Sequence, residues 1–328
     1  MKAAFHVGKE KVELRDVACP TASKNECLVE VKACAICGSD GWWLHEGLVP
    51  GIQGHEVTGV IVEVGEEVKS WKKGDRVAVY CVTGCGECDP CKRDMDPYCQ
   101  RGASVVAGGF AEYVAVPARS LLPLGLSFDF IEGSLLTDTV GTPMRALRRI
   151  EIPRGGTVAV WGLGPLGNIA VQGAKALGAG RVIGLDPLLL RRKLAQELGA
   201  DMTLDPNQAN VESVLQNETG GVGVDACVCT IRNDEVAQRG CNLVRRGGWF
   251  VSVAGKALIG GEFEIYGSGV KYFAKSEYKP NVEFVKSGCI KLKPIITHIF
   301  PLDQIQEAFV KRFKQKDLAM KVVIKTSK

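Results

Sequence analysis

Between Lys2 and about Ile131 the apolar positions fall in short runs, CLVEVKA, EVTGVIVEVG, DRVAVYC and AEYVAVP, each cut off by turn-forming or charged residues. Runs of that length bounded by turn signals predict strands, and their close spacing predicts a small β-rich barrel. The pattern changes near Thr157. There TVAVWG reads as a buried strand, NIAVQGAKALG as an amphipathic helix, RVIGLD as a second strand and LRRKLAQELGA as another helix. Strands alternating with helices predict a doubly wound parallel sheet covered on both faces, an α/β unit. Further strand-like runs, VDACVCT and GWFVSVAG, carry that unit to about residue 271.

Beyond it the chain is mixed again: PLDQIQEAFVKRF has helical apolar spacing and KVVIK reads as a closing strand. An α/β middle flanked by pieces of something else predicts two domains. The first is formed by 1–140 and 272–328, a barrel completed by C-terminal residues, and the second by 141–271. A length of 328 residues fits that division, since one compact core rarely serves so long a chain.

Composition changes the picture little. With 46% hydrophobic and 24% charged residues the chain has material for real cores and lacks the signature of disorder. Its 41 basic and 37 acidic residues are interspersed, so no run marks a nucleic-acid or membrane surface. The opening MKAAFHVGKEKVELRDV has no continuous apolar stretch, and the uncharged segment Gly155 to Ala174 is interrupted by glycine and proline. Neither secretion nor membrane spanning is expected, and a cytoplasmic protein is. Thirteen cysteines then belong to a reducing compartment, free for metal binding or burial. Cys19, Cys27, Cys34, Cys227, Cys229, Cys241 and Cys289 read as small buried hydrophobes.

After TVAVWG comes Gly162-Leu163-Gly164-Pro165-Leu166-Gly167 and then a helix, the strand-turn-helix setting in which G-x-G-x-x-G binds a dinucleotide. Gly162 permits the tight turn, Gly164 admits a pyrophosphate to the backbone, and Gly167 allows close helix–strand packing, with helix N–H groups facing the phosphates. Asp186 ends the next strand about 20 residues beyond the turn, where an acid bonds an adenosine ribose and repels a 2′-phosphate, so NAD is expected over NADP. Arg191 and Arg192 could turn toward a phosphate and so leave a small opening for NADP. The plainer alternative is an ordinary glycine turn, with Asp186 capping a helix before Pro187.

Cys85, Cys88, Cys91 and Cys99 follow the pattern C-x-x-C-x-x-C-x7-C in a loop near residues 81–101. Four thiolates so spaced suit tetrahedral zinc with no open position, a structural site. A second set is dispersed: Cys37 in Cys37-Gly38-Ser39-Asp40, and His55-Glu56 after Gly54. Thiolate and imidazole also suit zinc, and a three-ligand site with an open position is a catalytic arrangement. Taken alone, each is equally a core residue.

These segments together, CGSD, GHE-x-x-G-x-V-x-x-V-G, GDRVAVY, the four-cysteine loop, GLGPLG and THIFPLDQIQEAF, resemble the zinc-containing medium-chain alcohol dehydrogenases in the right order along almost the whole chain. The polyol, sorbitol and threonine dehydrogenase branches are the nearest in character. The resemblance implies a chaperonin-10-like (GroES-like) catalytic barrel, a Rossmann cofactor domain with a cleft between them, and a homodimer or homotetramer. It implies one catalytic and one structural zinc, NAD, and an alcohol, polyol or ketone as the small-molecule substrate. Cys37 and His55 would be catalytic ligands, Glu56 a nearby or exchanging one, and Asp138 falls where the family has a cysteine or glutamate ligand. Asp138 is otherwise a helix N-cap.

Ser39 would accept the hydroxyl proton while the metal acts as Lewis acid. The histidine that commonly relays the proton outward is replaced by Trp42, leaving His45 or the ribose hydroxyls and water as routes. Trp42, Trp43 and Cys81 would approach the cleft, or the tryptophans simply pack the barrel. A different class of protein, a zinc-containing NADH-binding sensor or scaffold without chemistry, is the competing reading, and Trp42 is its support.

Overall fold

The computed structural model describes residues 1–41, 51–208, 210–254, 266–269 and 274–326. Trp42, Trp43 and His45 lie outside these residues. Two compact units emerge: Met1–Asp138 with Ala274–Tyr278 and Ile296–Lys328, and Thr139–Phe273 with Lys279–Ile295.

Along the chain the first unit contributes strands β1 (Lys2–Gly8), β2 (Lys11–Asp16), β3 (Glu26–Ala35), β4 (Gly51–Ile52), β5 (Glu56–Val64), β6 (Arg76–Val79), β7 (Val82–Thr83), β8 (Ser104–Val105), β9 (Tyr113–Pro117) and β10 (Leu121–Pro123). The second contributes β11 (Thr157–Trp161), β12 (Arg181–Leu185), β13 (Met202–Leu204), β14 (Val224–Cys229), β15 (Val244–Ser252) and β16 (Tyr266–Gly269), and the chain returns to the first with β17 (Ile296–Pro301) and β18 (Lys321–Lys325).

In the first unit β3 is the organising strand. It pairs antiparallel with β5, β9 and β18 within the order β10-β6-β5-β3-β18-β17, while β2-β1-β4 form a smaller sheet. The C-terminal strand is thus hydrogen-bonded to the N-terminal half, with Cys34 opposite Ile324 and Ala35 opposite Val323. Apolar side chains from these strands, including Val29, Val31, Ile61, Val116 and Ile324, close one core. Each fully buried aliphatic side chain of this kind contributes about 1.5–3 kcal/mol.

The second unit is a six-stranded parallel sheet in the order β13-β12-β11-β14-β15-β16. Helices Pro165–Ala176, Leu189–Glu197, Val211–Glu218 and Asp234–Asn242 alternate with its strands, as parallel connections require. Two of them start where the sequence supplies an acceptor: Asn210 Oδ1 takes the Ser213 N–H and Asn233 Oδ1 the Val236 N–H. Such caps contribute about 1 kcal/mol each. No helix among the described residues is long and apolar enough to cross a membrane.

Two expectations need correction. Residues 279–295, assigned from sequence to the barrel, group with the parallel-sheet unit. The reason is specific bonding: Gln172 Oε1 accepts the Lys291 N–H at 2.7 Å, its Nε2 donates to the Lys291 carbonyl at 3.3 Å, and Arg148 donates to Asn281 Oδ1 at 2.7 Å. Also, Cys19 and Cys289 are exposed, because each lies in a connection outside strand or helix, whereas Cys27, Cys34, Cys227, Cys229 and Cys241 are buried.

The Gln172 side chain, 3% exposed, therefore holds the returning segment by its backbone. Gln172→Leu should lower the stability of this unit by about 1–3 kcal/mol, the cost of leaving buried peptide groups unmatched. Amide exchange at Lys291 should accelerate with it. Unchanged protection at Lys291 would show that other contacts hold the segment.

Candidate active site

Cys37 leaves the end of β3, and its position is set by a tight turn. The Asp40 N–H donates to the Cys37 carbonyl at 3.3 Å, and the Cys37 N–H donates to Asp40 Oδ2 at 2.8 Å. His55 directly precedes β5 and Glu56 opens it, and the register with β3 places Glu56 opposite Ala35. The residue before them must be glycine. Gly54 has φ +92°, and a Cβ there would lie 2.8 Å from Cys34 Sγ and 2.9 Å from the Phe110 backbone nitrogen. Asp138 opens the helix Asp138–Arg148.

These four side chains, drawn from widely separated parts of the sequence, present donor atoms within 4.8 Å of one another, and all four are buried. Cys37 Sγ is 3.4 Å and His55 Nε2 3.7 Å from Asp138 Oδ2. Donors sharing one tetrahedral zinc stand roughly 3–4 Å apart, so the spacing fits. The electrostatics fit as well. Burial opposes a charged His55 imidazole, yet Asp40, Asp138 and Cys37 hold its pKa well above the ordinary value, so the ring stands among anionic groups. Burial pushes the Glu56 carboxyl up, and Lys321 opposes it through a buried ion pair of 2.6 Å.

Ser39 is half-buried in the turn after Cys37. Cys81 is fully buried, and burial together with the charges of Asp138, Cys37 and Glu56 raises its pKa against the opposing effect of His55, which puts it beside the cluster.

The four-cysteine loop is a second donor set. All four sulfurs lie within 4.8 Å, with Cys85 Sγ to Cys91 Sγ 4.0 Å and Cys88 Sγ to Cys99 Sγ 3.9 Å. Sulfurs around one zinc stand roughly 3.8 Å apart. Backbone N–H groups of Cys88 and Glu87 lower the Cys85 pKa to about 6, so this thiol is ready as thiolate. The loop is anchored by a residue the sequence did not single out. Asp96, fully buried, accepts the Gly84 N–H at 2.9 Å and pairs with Arg119 at 2.8 Å and Lys275 at 3.1 Å.

In the second unit Gly162 has φ +91°, and a Cβ on Gly167 would lie 1.7 Å from the Gly162 carbonyl oxygen. Both must be glycine. At Gly164 the space is open, with Arg191 Nη1 nearest at 4.0 Å from the position of a Cβ. The helix that follows has Pro165 in its first turn and no side-chain cap, so the N–H groups of Leu166 and Gly167 remain suited to an anion.

Asp186, 1% exposed, accepts the Leu163 N–H and the Leu188 N–H, each at 2.9 Å. It thereby ties the end of β12 to the glycine turn while also capping locally. Arg191 Nη1 stands 3.4 Å from this carboxylate. Arg192 is held by the Asp186 and Pro187 carbonyls and by Asp205.

Cys91→Ser should remove one zinc per chain and lower thermal stability, while the Cys37 cluster keeps its metal. Metal analysis with calorimetry reads this, and unchanged zinc content and melting would remove the four-cysteine site.

Residues 23–125 match the alcohol dehydrogenase GroES-like domain, and residues 165–284 match the zinc-binding dehydrogenase domain. The chain is 30% identical to sorbitol dehydrogenase of Bacillus subtilis (strain 168), covering 99% of this chain and 97% of that protein. It is 33% identical to L-threonine 3-dehydrogenase of the same organism, covering 90% of each. Its fold is shared with an alcohol dehydrogenase from Thermus sp. ATN1, with a TM-score of 0.92 over the whole of both chains at 24% identity. A GroES-like barrel, a Rossmann-type parallel sheet and this kinship over nearly the whole length together establish that the chain belongs to the zinc-containing medium-chain alcohol dehydrogenase family.

Proposed function

We propose that this protein is a zinc-dependent dehydrogenase that moves a hydride between an alcohol or polyol CH–OH and NAD, giving a ketone or aldehyde or running in reverse. The observation that carries the reading is the buried Cys37, His55, Glu56 and Asp138 cluster, whose donors suit zinc and whose surroundings call for a cation. Zinc supplies Lewis acidity toward the substrate oxygen, and the nicotinamide supplies the hydride acceptor or donor.

The chain's residues divide the remaining work. Cys37 and Asp138 as anions would neutralise the metal's charge, and His55, whose Nδ1 faces Asp40 Oδ1 at 3.5 Å, would give up its extra proton to become a neutral donor. Glu56 is committed to Lys321, which favours Asp138 over Glu56 as the third ligand and leaves Glu56 an exchanging one. Ser39, two residues from Cys37, accepts the substrate hydroxyl proton while its own hydroxyl proton passes on to water. Gly162, Gly164, Pro165, Leu166 and Gly167 hold the pyrophosphate and Asp186 the ribose, with Arg191 beside Asp186 at the cofactor site. A cytoplasmic setting is part of the same proposal, since cysteines kept for metal and for the core belong to a reducing compartment. A homodimer or homotetramer is carried by family resemblance.

A hydride-transfer assay across polyols, simple alcohols and the matching ketones tests the reading, and inactivity on every substrate with both metals in place would favour a sensor or scaffold. Asp138→Ala should retain the zinc of the four-cysteine loop, lose most of the other, and abolish nearly all turnover while NAD still binds. Retention of both metals would return Asp138 to a helix-capping role. NAD should bind more tightly than NADP, and Asp186→Ser should narrow the difference. Equal wild-type affinities in a titration would dismiss the ribose assignment.

A further inference from the structure

Behind Asp40 the barrel encloses a small cavity lined by His6, Asp40 and Gln53 on its polar side and by Ala4, Phe110 and Phe309 on its apolar side. The centre of a water molecule can range over about 10 Å³ there, close to the least space that holds one water. His6 is 7% and Asp40 2% exposed. Neither His6 Nε2 nor Asp40 Oδ1 has a hydrogen-bond partner among the described residues.

A buried polar atom left unmatched costs about 1–3 kcal/mol. Two such atoms, carried by residues that line one water-sized space, call for a shared partner. The face His6 takes is fixed, because β1 holds its backbone in register with Val12 of β2 and Gly51 of β4. Burial lowers the His6 pKa, against the opposing charge of Asp40, so the ring is neutral near pH 7.

We propose that this cavity is a built site for one water molecule, which bridges His6 Nε2 and Asp40 Oδ1 and makes His6 a positioning residue for the metal centre. The water donates one hydrogen to the Asp40 carboxylate and exchanges the second bond with the imidazole, donating or accepting according to its tautomer. Asp40 is the link to the donors. Its Oδ2 accepts the Cys37 N–H at 2.8 Å and its Oδ1 faces His55 Nδ1 at 3.5 Å. Held on its far side by water, the carboxylate cannot rotate away from either, and the His55 ring keeps the orientation that aims Nε2 at the metal. Outer partners of this kind typically change metal affinity by about 10–100-fold.

The inference rests on Cys37, His55 and Asp138 being metal donors, and the test separates the two. In a high-resolution crystal structure of the wild-type protein, one ordered water should stand within hydrogen-bond distance of both His6 Nε2 and Asp40 Oδ1. His6→Leu should release zinc from the Cys37 centre to a chelator about tenfold faster than wild type. His6→Gln, which still offers a polar group to the cavity, should restore most of the retention. The four-cysteine zinc and NAD binding should be intact in both, which reports that they fold. An empty cavity in the wild-type map, or equal zinc release from wild type and His6→Leu, overturns the proposal. A wild-type protein with one zinc instead of two would overturn the metal-donor reading itself, while the density between His6 and Asp40 still decides the water. If His6→Leu does not fold, that density alone is decisive.

Discussion

Negative charge gathered inside an apolar barrel is the constraint on which the metal-binding half depends. Asp40, Glu56 and Asp138 are each at most 8% exposed, and Cys37 joins them. Ionised groups withdrawn from water are costly unless matched by opposite charge and hydrogen bonds. Lys321 meets one carboxylate, the Cys37 N–H meets another, and His55 faces both Asp40 and Asp138. The raised His55 pKa expresses that pairing. The four-cysteine loop repeats the principle at the barrel's surface, where Arg119 and Lys275 flank the buried Asp96 and backbone N–H groups stabilise thiolate.

Sheet register converts this constraint into geometry. Pairing Ala35 with both Glu56 and Val323 brings three strands together beside the donor cluster. A shift of one residue in β5 would turn Glu56 to the opposite face of the sheet and separate it from Lys321. Gly54 protects that register through the absence of a side chain, since any Cβ there would press on Cys34 and Phe110.

What was legible in the sequence was whatever chemistry is local. The glycine turn, Asp186 and the four-cysteine loop lie within short stretches whose spacing carries physical meaning, and the alternation of apolar runs announced a barrel and a parallel sheet. Cys37 and His55 were visible as residue types but became a pair only through resemblance, because eighteen positions separate them and only the β3–β5 register joins them. Lys321, Arg119 and Lys275 gave no signal. A lone basic residue in a strand or loop reads as solvated until a distant acid is found opposite it. Residues 279–295 were misplaced for a similar reason, since two bonds to one glutamine side chain leave no periodicity in the segment they hold. Asp40 stood inside a recognised motif, yet its task is to orient neighbours, and spacing does not display that.

The strand carrying Lys321 is the last element of the chain, although it lies against one of the first. During synthesis Cys37, His55 and Asp138 leave the ribosome well before the cation that neutralises Glu56 has been made. A nascent chain therefore carries an incomplete donor pocket with an uncompensated carboxylate and an open barrel edge. The ion pair that neutralises Glu56 can form only once the strand carrying Lys321 has been made and has paired beside β3.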